Sequence, residues 1–207
     1  MRIEKGATTT LEWGIASRSL PGQSAMGDVG CVLPTPQGAL IGVIDGLGHG
    51  PEAASAAAVS LRTLQEFLGR PVTDLLELCH ESLRRTRGVV MSLAAFDAIR
   101  PALTWAGVGN VEAILAHEDY TAGFEPKNLM PQPGIVGHRL PQLHPVTLPL
   151  EPGLTAVLAT DGIDMAFMRE FRPVGSPDRI AERIVEKHAR PTDDALVLVA
   201  RYVGGTD

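Results

Sequence analysis

Apolar residues occur in short runs of strand length at the start of the chain. Runs at residues 11–16, 29–33 and 39–44 predict three strands, because turn-forming residues bound each one. The third run is almost wholly apolar, which is typical of a strand buried on both faces. It ends at Asp45-Gly46, where the apolar pattern stops.

The next stretches have helical spacing and predict a pair of helices. The first begins at Pro51, since proline is favoured at the first helical position, and its apolar pattern ends before Pro71. The second is predicted from Thr73, as the capping residue, to the basic residues that precede Gly88.

A set of shorter elements is predicted in the middle of the chain. Residues 89–99, 102–108 and 111–117 have the lengths and turn punctuation of three consecutive antiparallel strands. The last two are predicted to join at Gly109-Asn110. Residues 118–143 are rich in glycine and proline and predict a loop.

The C-terminal part predicts a second hairpin, a helix and a strand. Residues 146–150 and 154–159 flank a Glu-Pro-Gly turn, Ser176-Pro177 is typical of a helix start, and residues 195–200 form a final apolar run. Many antiparallel strands with few interleaved helices indicate an α+β sandwich, whereas a parallel βαβ repeat has little support. At 207 residues, the chain is expected to be a single domain spanning residues 1–207.

Composition narrows the function. A net charge of -6 argues against sequence-independent binding to nucleic acid, which needs clustered lysine and arginine. No signal peptide or membrane-length apolar run is seen, so we expect a cytoplasmic monomer that does not bind membranes. Cys31 and Cys79 lack metal-ligand spacing and are expected to be buried free thiols.

Acidic residues stand at the ends of several predicted strands. Asp45 and Asp161 follow apolar runs, while Asp28 and Asp193-Asp194 precede them. Any single Asp-Gly after a strand is more simply a turn. If the strand ends converge, however, the carboxylates would repel one another unless a multivalent cation lay between them. The set therefore predicts a Mg or Mn site.

Three alternating glycines follow the first of these aspartates. Gly46, Gly48 and Gly50 give more backbone freedom than a tight turn requires, directly before a helix start. A phosphate-binding loop is the competing interpretation, because such turns attract anions. It is disfavoured because neither a Gly-Lys-Ser/Thr sequence nor a Gly-x-Gly-x-x-Gly spacing is present.

Five motifs together resemble a known family. They are Gly27-Asp28, the segment from Asp45 to Ala53 (Asp-Gly-Leu-Gly-His-Gly-Pro-Glu-Ala), Gly107-Val108-Gly109-Asn110, Thr160-Asp161-Gly162-Ile163 and Asp193-Asp194. In this order they resemble the phosphatase domain of the bacterial SpoIIE family of metal-dependent serine/threonine phosphatases. The resemblance implies a four-layer α/β/β/α sandwich of two mainly antiparallel sheets flanked by helices.

The resemblance also implies a ligand set and a reaction. Asp45 would bridge two Mn²⁺ or Mg²⁺ ions, Asp161 and Asp193 would hold one of them, and Asp28 with the Gly46 carbonyl would hold the other. A metal-activated water would then attack the phosphate, so Asp45 and Asp161 act through that water. No protein nucleophile is needed.

Several residues in or near these motifs leave alternatives open. The paired aspartates do not reveal whether Asp193 or Asp194 is the ligand. His49 could protonate the leaving oxygen or serve only as a helix-entry residue, and Arg18 could clamp phosphate or lie on the surface. Gln23 stands where relatives often carry glutamate, and Leu196 where they often carry threonine.

The implied substrates are phosphoserine and phosphothreonine of stressosome STAS-domain proteins. The ground is that the sequence of the glycine loop, and the lack of an added sensory or membrane domain, resemble the stand-alone stressosome phosphatases of this family. Two alternatives stay open. The two departures from the family pattern would suit a non-catalytic phosphoprotein-binding domain, and the metal chemistry alone would also suit a small-molecule phosphatase.

Overall fold

Two antiparallel sheets, packed face to face and flanked by helices, form the fold. The computed structural model describes residues 1–20, 22–23, 25–117, 126–169 and 171–204. Its elements are β1 (Arg2–Ala7), β2 (Leu11–Arg18), β3 (Asp28–Thr35), β4 (Gly38–Gly46), α1 (Pro51–Glu66), α2 (Val72–Ser82), β5 (Val89–Asp97), β6 (Ala102–Val108), β7 (Glu112–His117), β8 (Lys127–Leu129), β9 (Val146–Pro149), β10 (Leu154–Ala159), a 3₁₀ helix (Met165–Arg169), α3 (Pro177–His188) and β11 (Ala195–Tyr202).

The sheets define the layers. The six-stranded sheet has the order β1-β2-β11-β10-β7-β8, and the five-stranded sheet has the order β3-β4-β5-β6-β9. Apolar side chains such as Ile41, Leu103 and Leu198 fill the space between the sheets. Helices α1 and α2 cover the outer face of the five-stranded sheet, and α3 with the 3₁₀ helix covers the other. The predicted four-layer sandwich is confirmed.

Strand β4 shows why its sequence is almost wholly apolar. Ile41 and Val43 point into the space between the sheets, while Leu40 and Ile44 pack under α1 and α2. Side chains alternate across a strand, so a strand in the middle of a four-layer sandwich must be apolar on both faces. Asp45 therefore lies at the end of a strand that is held in place by packing on both faces.

The helices begin close to where the sequence predicts. Helices α1 and α3 start at Pro51 and Pro177, as predicted. Helix α2 starts at Val72 with Pro71 as its N-cap residue, so Thr73 lies in the first turn and is not the cap. The cause is that Pro71 already holds the extended backbone of a capping position. None of the described helices is long and apolar enough to cross a membrane.

The predicted hairpin at Gly109-Asn110 is wrong. Strand β6 pairs with β5 and β9, whereas β7 pairs with β8 and β10, so the chain crosses between the sheets here. The physical reason lies in β7, where Ala113 and Leu115 fill the core between the sheets while Ile114 and Ala116 pack under α3. Burial on both faces requires an interior position in a sheet. Strand β7 has this position between β10 and β8, whereas both sides of β6 are taken by β5 and β9.

The predicted hairpin across residues 151–153 is wrong for the same reason. Strand β9 is the edge of the five-stranded sheet, while every residue of β10 is buried inside the six-stranded sheet. Two further strands were not predicted. Strand β1 is short, polar and mostly exposed, and β8 lies inside the predicted loop at 118–143, of which residues 118–125 lie outside the described residues.

Cys31 and Cys79 are buried free thiols, as predicted. They pack in the core between the five-stranded sheet and its helices. Burial raises the pKa of both thiols to about 12, so neither is a thiolate at neutral pH.

Candidate metal centre

Three of the predicted aspartates line one cleft at an end of the sandwich. Asp45 ends the apolar run of β4, Asp161 follows β10, and Asp193 precedes β11. The cleft has a volume of about 560 Å³, and the loop that carries His49 forms part of its wall. The structure therefore brings together carboxylates that are up to 148 residues apart in sequence (193 minus 45).

Asp28 lies behind Asp45 and does not line the cleft. The two residues are direct partners in the β3–β4 ladder, so their side chains lie on the same face of the sheet and their carboxyl groups are close enough to repel each other. Asp28 is 7% exposed, and the Thr160 hydroxyl donates a hydrogen bond of 2.8 Å to its Oδ2. Asp28 is thus the buried member of the pair, and Asp45 is the member that lines the cleft.

Burial and mutual repulsion shape the electrostatics of these aspartates. Desolvation raises the pKa of Asp45, and the nearby charge of Asp28 raises it further. Desolvation also raises the pKa of Asp28, although the Thr160 hydrogen bond opposes this shift. The pKa of Asp161 is raised by burial and by Asp193. Each shift shows that negative charge is costly here without a cation.

The paired aspartates have different surroundings. Asp193 is exposed and lines the cleft, and its Oδ1 accepts a hydrogen bond of 2.9 Å from the Asp194 N–H. Asp194 is buried, and its two oxygens accept hydrogen bonds from Leu20 N at 2.7 Å and Gly27 N at 2.8 Å. Asp193 is therefore the one of the two that lines the cleft.

The glycine loop after Asp45 uses its conformational freedom. A Cβ on Gly46 would lie 2.2 Å from the Ala53 carbonyl oxygen, so no larger residue fits beside α1. Gly48 and Gly50 have φ of 84° and 79°, a region that other residues rarely adopt. The predicted need for backbone freedom is confirmed at these positions.

Two polar residues at the site were missed. Asn110 was interpreted as a turn residue, but its Nδ2 donates a hydrogen bond of 2.7 Å to Asp161 Oδ2. Thr160 donates to Asp28 and accepts from Leu196 N at 3.0 Å, so it joins two strands to a buried carboxylate. Both residues lie within the family motifs, and these motifs are the sequence signal that could have identified them.

The two candidate basic residues have different positions. His49 is exposed on the cleft wall, and its ring makes no hydrogen bond within the part of the chain that the structure describes. Arg18 instead donates to the Ala189 carbonyl at the end of α3 and does not line the cleft. The phosphate-clamp interpretation of Arg18 thus gains no support.

Leu196 and Gln23, the two residues that depart from the family pattern, have defined positions in the structure. Leu196 is 3% exposed and fills the core between the sheets, against Gly30. The Gln23 amide oxygen lies 3.4 Å from the position that a Cβ on Gly50 would take. Neither side chain occupies the place of an aspartate at the cleft.

The donor set fits a hard divalent cation completed by water. Carboxylate and carbonyl oxygens are the preferred ligands of Mg²⁺, which is usually held by one or two carboxylates and keeps several waters. Within the described ranges, no three His, Cys, Asp or Glu side chains are grouped so as to hold one ion by themselves. The aspartates therefore fit ions that retain water ligands, and they do not form a closed protein cage.

Comparison with known proteins reveals the family. The family model for stage II sporulation protein E (SpoIIE) matches residues 35–203. Phosphoserine phosphatase RsbX from Bacillus subtilis (strain 168) is 25% identical over 154 residues, which cover 74% of this chain and 75% of RsbX.

Two solved structures share the fold. A chain solved in work on the bacterial stressosome, a modular system adapted to control secondary messenger signalling, is 30% identical with a TM-score of 0.82, covering 92% of this chain and 99% of that one. RsbX in complex with magnesium is 19% identical with a TM-score of 0.87, covering 97% of this chain and 100% of that one. The resemblance predicted from the five motifs is confirmed, and the chain belongs to the SpoIIE family.

Proposed function

We propose that the chain is a metal-dependent phosphoprotein phosphatase that hydrolyses phosphoserine and phosphothreonine. One observation carries the proposal: the cleft is lined by three carboxylates and, among the described residues, by no lysine or arginine. A phosphate dianion would be repelled from such a cleft by Coulomb forces. Bound divalent cations would reverse the sign of the field, so the cleft suits phosphate only when it is loaded with metal.

The ligand set follows from the aspartates at the cleft. Asp45 would contact both of two Mg²⁺ or Mn²⁺ ions, Asp161 and Asp193 would hold one, and Asp28 with the Gly46 carbonyl would hold the other. When bound, the ions would supply an activated water and neutralise charge on the phosphate. The raised pKa values of Asp28 and Asp45 support this assignment, because a cation relieves the repulsion that raises them.

Neighbouring residues would hold these ligands in place. The Asn110 amide orients the Asp161 carboxylate, and the Thr160 hydroxyl orients that of Asp28. His49 is exposed on the cleft wall, where its imidazole could reach the serine oxygen that leaves. We assign it the role of a proton donor, because histidine is the side chain that most often transfers protons in general acid–base catalysis.

We propose phosphorylated STAS-domain proteins of a stressosome as the substrates, with the reaction taking place in the cytoplasm. The similarity to RsbX and to a chain solved in work on the bacterial stressosome supports this choice. A protein substrate also suits the cleft, whose wall includes Pro133, Gly134 and Ile135. An apolar wall of this kind would contact protein around a phosphorylated side chain.

The test is phosphate release from a phosphorylated STAS-domain protein with Mn²⁺, with Mg²⁺ and with EDTA. We expect release only with a divalent ion. Metal-independent turnover would contradict the proposal. Binding of the phosphoprotein without release would favour a non-catalytic domain, and faster hydrolysis of free phosphoserine than of the phosphoprotein would favour a small-molecule phosphatase.

A further inference from the structure

The connection between β2 and β3 runs along the candidate metal centre. It leaves β2 at Arg18, and the described part includes Leu20, which lines the cleft, before it returns to Asp28 at the start of β3. The described residues from 19 to 26 are exposed or only partly buried. Apolar packing therefore gives this connection little support, apart from Met26 at the core between the sheets.

Asp194 holds both ends of this connection. One carboxylate oxygen accepts the Leu20 N–H and the other accepts the Gly27 N–H, at 2.7 and 2.8 Å. The bonds join positions 174 and 167 residues apart in sequence, and Asp194 is 5% exposed. A buried carboxylate with both oxygens on backbone amides makes short, charge-assisted bonds and fixes the two amides relative to each other.

The same contacts reach the proposed ligands. Gly27 precedes Asp28 directly, and its carbonyl accepts a hydrogen bond of 3.2 Å from the N–H of Gly46. Asp194 itself follows Asp193 in the chain. A single side chain therefore joins the start of β3, the end of β4 and the start of β11, which together carry four of the proposed metal-ligating groups.

We propose that Asp194 is a positioning residue of the metal centre: it holds the β2–β3 connection against the cleft so that Asp28 and Asp45 stay in place to bind a divalent ion. The inference rests on the proposed function. It assigns different tasks to the paired aspartates, with Asp193 facing the cleft and Asp194 facing the backbone. Loss of a group that orients a ligand typically costs about 10–100-fold in metal affinity.

The experiment measures Mg²⁺ and Mn²⁺ binding to the full chain by titration calorimetry. Asp194→Asn keeps one acceptor but places an amide N–H against a backbone N–H, so we expect its metal affinity to fall about 10–100-fold. Asp164→Asn is the matched control, because Asp164 also accepts from a backbone amide, Ala166 N at 2.9 Å, without contacting the β2–β3 connection. We expect this control to bind metal as the wild type does.

A second pair of variants separates position from charge. Leu20→Pro removes the N–H that donates to Asp194 and changes no charge, whereas Leu20→Ala keeps that N–H and removes the side chain. We expect Leu20→Pro to weaken metal binding several-fold more than Leu20→Ala. Because this pair leaves Asp194 intact, it tests the inference even if Asp194→Asn fails to fold, as judged by circular dichroism.

The outcomes are distinct. Wild-type affinity in Asp194→Asn, or equal affinities in Leu20→Pro and Leu20→Ala, would overturn the positioning role while leaving the proposed function intact. A wild-type protein that binds neither Mg²⁺ nor Mn²⁺ would overturn the proposed function, and this inference with it.

Discussion

Asp28 and Asp45 face each other across the β3–β4 ladder, close enough that the charge of Asp28 raises the pKa of Asp45. Two carboxyl groups so close cannot both ionise at low cost unless a cation shares them. This arrangement destabilises the metal-free fold and favours metal binding, and the first two predictions follow from it.

Replacing Asp45 should abolish turnover and stabilise the metal-free protein. Asp45→Asn removes the carboxylate proposed to contact both ions, so we expect phosphatase activity to fall by at least roughly 100-fold, since loss of an outer partner alone can cost that much. It also removes repulsion with Asp28, so the thermal midpoint in EDTA should rise. Phosphate release and thermal unfolding measure the two effects, and wild-type activity in this variant would contradict the assignment.

The metal-free protein should lose stability as pH rises. Because the pKa values of Asp28 and Asp45 are raised above 3.8 in the fold, the native state binds more protons than the unfolded chain above about pH 4. The free energy of unfolding therefore falls as pH increases towards the raised values. Urea unfolding in EDTA between about pH 5 and 8 should show this fall, and saturating Mg²⁺ should reduce it. The slope should be smaller in Asp45→Asn, and an unchanged slope would count against the pair as its source.

Asn110 should matter through Asp161. Asn110→Ala removes the amide that donates to the Asp161 carboxylate, so we expect kcat/KM to fall about 10–100-fold at low metal concentration, with partial recovery at high concentration. Asn128→Ala, on an exposed position of β8, is the matched control and should leave the rate unchanged. A loss of rate that added metal does not reduce would argue against a role in ligand orientation.

Two glycine variants should differ strongly in stability. A Cβ on Gly162 would lie 1.7 Å from the Asp194 carbonyl oxygen, so Gly162→Ala should cost roughly 1–3 kcal/mol or more, because backbone must move. The atoms nearest to a Cβ on Gly30 would be side-chain methyl groups of Ile15 and Leu196, at 3.2 and 3.3 Å, which can shift without moving backbone. Gly30→Ala should therefore be close to neutral in urea unfolding. If the two variants lost the same free energy of unfolding, the backbone at the start of β11 would move more easily than these contacts indicate.

Local patterns predicted most of the elements, since apolar runs and proline-started helices are encoded by neighbouring residues. They could not predict which sheet a strand joins. The turns near Gly109 and Pro152 carry the punctuation of hairpins, yet both connect the two sheets, because β7 and β10 are buried on both faces and lie in the interior of the six-stranded sheet.

Local patterns also predicted part of the candidate site. Asp28, Asp45 and Asp161 could be found because they punctuate apolar runs in the order of a known family. The tasks of Asn110 and Asp194 could not, because each depends on a hydrogen bond to a residue far away in sequence. Local spacing holds no information about such partners.

The proposed ligands come from both sheets. Asp28 and Asp45 belong to the five-stranded sheet, while Asp161 and Asp193 flank strands of the six-stranded sheet. Neither sheet alone carries the full set. The ion proposed to contact Asp45, Asp161 and Asp193 would take ligands from both sheets, so it would bind only after the sheets have docked. Divalent metal would then bind late in folding and stabilise the docked sheets. Its affinity would therefore measure how well the two sheets pack against each other.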